Sequence, residues 1–182
     1  MGSVISHNGG PTLEPGASWR RHAWGRARRE LLPVLPVEVV RLRVKRAAEL
    51  GLDYRSYASV RAATGHDLIG FLFSSNALRL LRASDRLPEA RRAKLEALDA
   101  LRIAVVQPPL DPNRVLRAAP LDAAHAAPGL SAGWGETRAR LRAMLDGPAD
   151  RYLVVGDTAL ERDWCATVRA AGYLPADRYF AG

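Results

Sequence analysis

The chain has 182 residues, 48% of them hydrophobic and 25% charged, with a formal net charge of +8. That length holds one core of normal size, or one α/β core with a small helical attachment, and excludes two large domains; the composition excludes wholesale disorder. The charge suggests attraction to nucleic acid, an anionic membrane surface or acidic proteins, yet Lys45 and Lys94 are the only lysines, and such arginine usage in an alanine- and leucine-rich chain follows GC-rich coding as readily as it follows a partner. The excess lies toward the amino end: residues 1–50 hold nine Arg/Lys against four Asp/Glu, residues 51–104 nine against six, and residues 105–182 nine against nine.

Residues 1–17 contain Gly9, Gly10, Pro11, Pro15 and Gly16 without periodicity and read as a flexible arm. Residues 18–65 read as a basic helical segment. Ser18 suits an N-cap for a helix to about Leu32, and Pro36 suits the first turn of a second, whose stripe Val37, Val40, Val44, Ala48 ends at a Gly51 cap. Asp53 can cap a third helix carrying Tyr57, Val60 and Ala63 and ending near Gly65.

Residues 66–182 read as an α/β core. The stretch DLIGFLFSSNALRLL, residues 67–81, is a short apolar run that stops at Ser74, Ser75 and Asn76 and resumes with helical spacing, a buried strand feeding a helix. A helix is expected over 87–100, a second strand over 102–106 closed by Gln107-Pro108-Pro109, and a third over 152–155. Thr158 and Glu161 have capping-box spacing for a helix to Ala171, with Gly172 as its terminator. Repeated strand, helix, strand implies a small, mainly parallel sheet of three or four strands with flanking helices. Residues 107–135, with five prolines, read as an irregular segment, either a lid or binding loop or alanine-rich padding over the sheet.

Parallel strands would bring Ser74, Ser75, Asn76, Gln107, Asp157 and Thr158 to one polar rim. Helix starts there could hold a phosphate or carboxylate, though these residue types are also what helix caps prefer. Ser74 and Ser75 lie outside a G-x-S-x-G elbow, and none of the histidines has local spacing to a serine and an acid. Cys165, the one cysteine, permits no internal disulfide or zinc cluster. It implies a reducing, cytoplasmic setting and lies on an apolar helical face. No apolar run reaches the roughly 18 to 20 residues of a membrane span, and the amino-terminal region lacks a signal peptide's apolar segment. No cofactor or metal site is indicated.

The segment SWRRHAWGRARRELL carries Trp19, Arg20, Arg21, Trp24, Arg26, Arg28 and Arg29. Arginines interleaved with tryptophans suit phosphate contact and base stacking; the pattern equally suits an anionic membrane surface, or a helix whose Trp19, Ala23, Ala27 and Leu31 face a core. Ala47, Gly51 and Val60, with GLDY as the turn, approximate a helix-turn-helix, in which Arg55, Ser56 and Ser59 would face the major groove.

Two resemblances add to this. VVGDTALERDW, residues 154–164, resembles the fourth motif of the haloacid dehalogenase superfamily, whose acidic residue after a strand binds magnesium, and FLFSSNA, residues 71–77, falls where that superfamily has a strand and two aspartates separated by one residue. Ser74 and Asn76 stand at those positions, so the resemblance implies a catalytically degenerate relative without an aspartyl nucleophile. HNGGPTLEPG followed by RAAELGLDYRSY resembles short uncharacterised bacterial proteins that open with HNGPPL; it covers about the first third of the chain and implies no activity.

The leading expectation is a soluble, non-enzymatic bacterial accessory or regulatory protein contacting nucleic acid through Trp19 to Arg29 and Arg55, aided by Arg41, Arg43 and Arg46. The alternatives are a small-molecule binding protein or enzyme of phosphate or nucleotide type using the strand-end rim, and a scaffold subunit meeting an acidic protein within a larger assembly.

Overall fold

The strand Gly70–Ser74 (β1), GFLFS, is buried at every residue, as a strand covered on both faces must be. In the computed structural model, which describes residues 35–181, four further strands join it: Leu101–Val106 (β2), Ala123–Ala126 (β3), Tyr152–Gly156 (β4) and Gly172–Pro175 (β5). The sheet order is β3-β2-β1-β4-β5 and every pairing is parallel. The expected mainly parallel α/β architecture is therefore present, with five strands rather than three or four. Residues from Val40 to Gly182 form one compact unit. The predicted arm 1–17 and the basic helix with Trp19 to Arg29 lie outside the described residues.

Seven helices over the described residues accompany the strands: Val37–Glu49 (α1), Tyr54–Thr64 (α2), Glu89–Glu96 (α3), Pro112–Ala118 (α4), Trp134–Ala143 (α5), Ala159–Val168 (α6) and Ala176–Phe180 (α7). Strand alternation sends β1 side chains to both faces. Phe71 and Phe73 pack with Leu50, Leu52, Tyr57, Leu95 and Tyr179. Leu72 points the other way, among Ile103, Val105, Leu141, Val154 and Trp164.

The α1–α2 connection is a Schellman turn: Leu52 N–H donates to Ala47 O and Gly51 N–H to Ala48 O, with Gly51 at φ 62°. Asp53 then caps α2 by accepting from Ser56 N–H at 2.8 Å. Arg46, near the end of α1, donates to Asp67 Oδ2 at 3.0 Å, to Leu68 O at 3.2 Å and to Asp99 O at 3.1 Å, fastening the helix to the chain just before β1 and β2. Arg46 is thus a structural anchor, not a free contact for a partner. Tyr57 Oη–H completes the cluster by donating to Asp67 Oδ1 at 2.8 Å.

Four expectations are corrected. Residues after Ser74 form successive turns, not a helix, because Arg79 adopts a left-handed backbone (φ 57°), which a right-handed helix cannot contain. The stripe on α1 is displaced: Val44 is 47% exposed and Ala48 is exposed, while Ala47 and Leu50 are buried, because the Schellman turn directs Leu50 and Leu52 inward. Residues 107–135 are not irregular throughout; α4 and β3 form a crossover within them, with Asp111 capping α4 by accepting from Asn113 N–H at 3.0 Å. Finally, α6 ends at Val168, stopped by left-handed Arg169 (φ 58°), which frees Gly172 to begin β5.

Gly70 faces the buried Tyr152 ring so closely that an added Cβ would lie 2.5 Å from Cε1. Gly70→Ala is expected to destabilise the fold by about 1–3 kcal/mol through overpacking, measured by denaturant unfolding. Burial of Asp67 pushes its carboxyl upward, but the hydrogen bonds from Tyr57 and Arg46 and the Arg46 charge outweigh that and hold it below the ordinary 3.8. A depressed carboxyl stabilises fully above its unfolded value, and that contribution disappears as pH falls through the folded value. Asp67→Asn should therefore flatten the loss of stability between about pH 5 and pH 2, read as thermal midpoints across that range.

Candidate functional site

β1 is paired with β2 on one side and with β4 on the other, so the strand order reverses between β1 and β4. In open parallel sheets the crevice at the carboxyl ends beside such a reversal is where ligands are held. The predicted rim assembles there: Ser74 to Asn76 leave β1, Gln107 leaves β2, and Asp157 and Thr158 leave β4.

Internal bonds occupy these groups. Ser74 Oγ, in a residue only 1% exposed, accepts from Ala77 N–H at 2.9 Å. Ser75 Oγ, fully buried, accepts from Gln107 N–H at 3.1 Å. Asn76 Nδ2 donates to Glu161 Oε1 at 2.8 Å, while Glu161 Oε2 accepts from the backbone N–H of Asp157 at 2.6 Å and of Thr158 at 3.1 Å. Thr158 Oγ1 accepts from Glu161 N–H at 3.3 Å, which closes the capping box predicted from the sequence. Gly156 makes room for this arrangement, since a Cβ there would lie 2.8 Å from Glu161 Cβ and Oε2.

Above this layer lies an ion-pair network. Arg79 meets Asp157 Oδ2 through Nη1 and Asp177 Oδ1 through Nη2, both at 2.9 Å. Arg91 lies 3.5 Å from the same Asp177 oxygen, donates to Ala77 O, and stacks over the Phe180 ring at 4.5 Å from its centroid. Burial, with the nearby Asp177 and Glu161 carboxylates, raises the Asp157 carboxyl above its ordinary value despite Arg79 and Arg91.

The residues present do not fit the magnesium centre that the dehalogenase resemblance would imply. Positions 74 and 76 carry no carboxylate, Asp157 is paired with Arg79, and among the described residues no three His, Cys, Asp or Glu side chains are grouped to hold a metal. Cys165 packs against the second core cluster, and burial raises its thiol pKa. His66 lies at the entry end of β1, away from Ser74, and His125 is in edge strand β3. Arg55 and Ser59 are exposed on α2, whereas Ser56 Oγ–H donates to Asp53 Oδ2 at 2.6 Å.

The sequence flagged Glu161 only as a cap; its bond to Asn76, 85 residues away, had no local signal. Arg79, Arg91 and Asp177 carried no such signal either, because their meeting depends on the tertiary fold. No helix among the described residues is long and apolar enough to cross a membrane. No family model, curated protein or solved structure matches the chain.

Glu161→Gln preserves volume but replaces one acceptor oxygen with an NH₂ group facing N–H donors. It should cost about 1–3 kcal/mol, the usual penalty for an unmet buried donor, measured as a lower denaturation midpoint with unchanged m.

Proposed function

We propose that this chain is a non-enzymatic accessory or regulatory protein that contacts nucleic acid through Trp19, Arg20, Arg21, Trp24, Arg26, Arg28 and Arg29. The observation that carries the reading is the asymmetry of charge, nine Arg/Lys to four Asp/Glu in residues 1–50 against nine to nine in residues 105–182. Arginines supply phosphate contacts and tryptophans supply stacking platforms. Arg55 is exposed on α2 and makes no ion pair with the described residues, which supports its inclusion in the contact set. Arg41 is also exposed, on α1.

The state of the strand-end rim favours this reading over small-molecule catalysis there. Ser74, Ser75, Asn76 and Thr158 are engaged in caps and strand-end bonds, and Asp157 in an ion pair. A hydroxyl or carboxylate already committed in this way must give up a bond before it can meet a ligand.

A mobility-shift titration at low salt tests the proposal. Binding should weaken steeply as salt rises, and alanine at Arg20, Arg21, Arg26, Arg28 and Arg29 should reduce the log–log salt slope by about 0.9 for each duplex phosphate no longer neutralised. Absence of binding, or an unchanged slope in that variant, would refute it.

A further inference from the structure

Away from the strand-end crevice, the sheet edge at β5 and the face of α2 enclose a cleft of about 240 Å³. Its floor is apolar, built from Leu52, Val60, Leu153 and Leu174, and its mouth carries Arg55, Arg178, Ser56 and Ser59. We infer that this cleft binds a small amphipathic anion, with a phosphate or carboxylate head on Arg55 and Arg178 and an apolar body against the floor.

Three observations carry this. Gly172 borders the cleft, and a Cβ at that position would meet Leu153 Cδ1 at 3.3 Å and Val60 Cγ2 at 3.9 Å, so the missing side chain keeps the floor open. The mouth is net positive: Arg55 makes no ion pair with the described residues, and Arg178, 62% exposed, pairs with Asp53 at 3.9 Å and donates to Ser56 Oγ at 3.0 Å. Asp53 offsets Arg178 only in part, since it lies 3.9 Å from that guanidinium and its oxygens also accept from Ser56 N–H at 2.8 Å and Ser56 Oγ–H at 2.6 Å, so Arg55 leaves the mouth net positive.

Size and chemistry set the ligand class. Small-molecule pockets usually span roughly 300–1,000 Å³ and are mostly apolar with a few convergent polar groups, so this cleft, at about 240 Å³, lies below that range and takes a single ring or short chain. Two guanidiniums with the exposed Ser59 beside them match an oxyanion, which charge-assisted N–H donors hold more firmly than a neutral head. The proposal does not rest on nucleic-acid contact by residues 19–29; Arg55 is shared with that contact set, and Arg178→Gln and Gly172→Val are the variants that leave the set intact.

The test is a thermal-shift titration of the full chain with phenyl phosphate and hexanoate, alongside inorganic phosphate and neutral hexanol. At least one amphipathic anion should raise the midpoint saturably below about 10 mM, its identity distinguishing a phosphate-type from a carboxylate-type head, while inorganic phosphate and hexanol bind at least about tenfold more weakly. Arg178→Gln and Arg55→Gln should each weaken binding about tenfold, the effect of removing one charge-assisted hydrogen bond. Gly172→Val, which fills the floor, should abolish binding; the arginine variants serve as the decisive readout should it fail to fold, as judged by circular dichroism. The proposal is overturned if neither anion binds, if inorganic phosphate or hexanol binds as well as the amphipathic anions, or if binding survives the double arginine substitution unchanged.

Discussion

A single buried carboxylate governs the carboxyl end of this sheet. Glu161 has no solvent exposure, and its two oxygens take hydrogen bonds from the Asn76 amide and from two backbone N–H groups after β4. Desolvating a carboxyl group is expensive unless its oxygens are met by donors; here three donors do so, drawn from both sides of the strand-order reversal. The ends of β1 and β4 are thereby stitched together where an open α/β sheet would otherwise present a crevice. Gly156 is part of the same arrangement, since only a residue without a side chain lets the Glu161 carboxylate approach the strand end.

The arginines divide by what they hold. Arg46 fastens α1 to the entrances of β1 and β2, Arg79 and Arg91 bind the strand-end turn to α7, and Arg102 pairs with Asp122 at 2.8 Å between β2 and the start of β3. In these places a guanidinium satisfies several carbonyl and carboxylate oxygens from a single side chain, which its planar fork suits better than a lysine ammonium does. Net charge therefore overstates the positive surface offered by the α/β unit. The excess of Arg/Lys over Asp/Glu falls in residues 1–50 of the sequence, and within the α/β unit Arg55 is an exposed arginine outside these networks.

What the sequence disclosed follows the range of the interactions involved. Local rules located β1, β2 and β4, the Gly51 and Gly65 helix ends, the Asp53 cap and the Thr158–Glu161 box, since each depends on residues within a turn of one another. β3 was hidden because AAHA has no β-branched or aromatic residue, and β5 because GYLP is short and begins with a glycine that also reads as a helix terminator. The helix expected after Asn76 failed because Arg79 takes a left-handed backbone, which an apolar pattern of helical spacing does not announce. Of the rim, sequence anticipated the residues and their capping chemistry, while the ion pairs above them join positions as distant as Arg79 and Asp177.

The strand order has a consequence for the chain during synthesis. β1 gains β2 after a short crossover, Gly70 opposite Leu101, but its other flank remains bare until Tyr152 arrives. Until then GFLFS, uncharged and apolar at Phe71, Leu72 and Phe73, is an edge strand with unpaired amide and carbonyl groups, the kind of template that recruits other chains. A product truncated before β4 would carry its most aggregation-prone segment at the margin of the sheet, so the last two strands act as an intramolecular guard for the first.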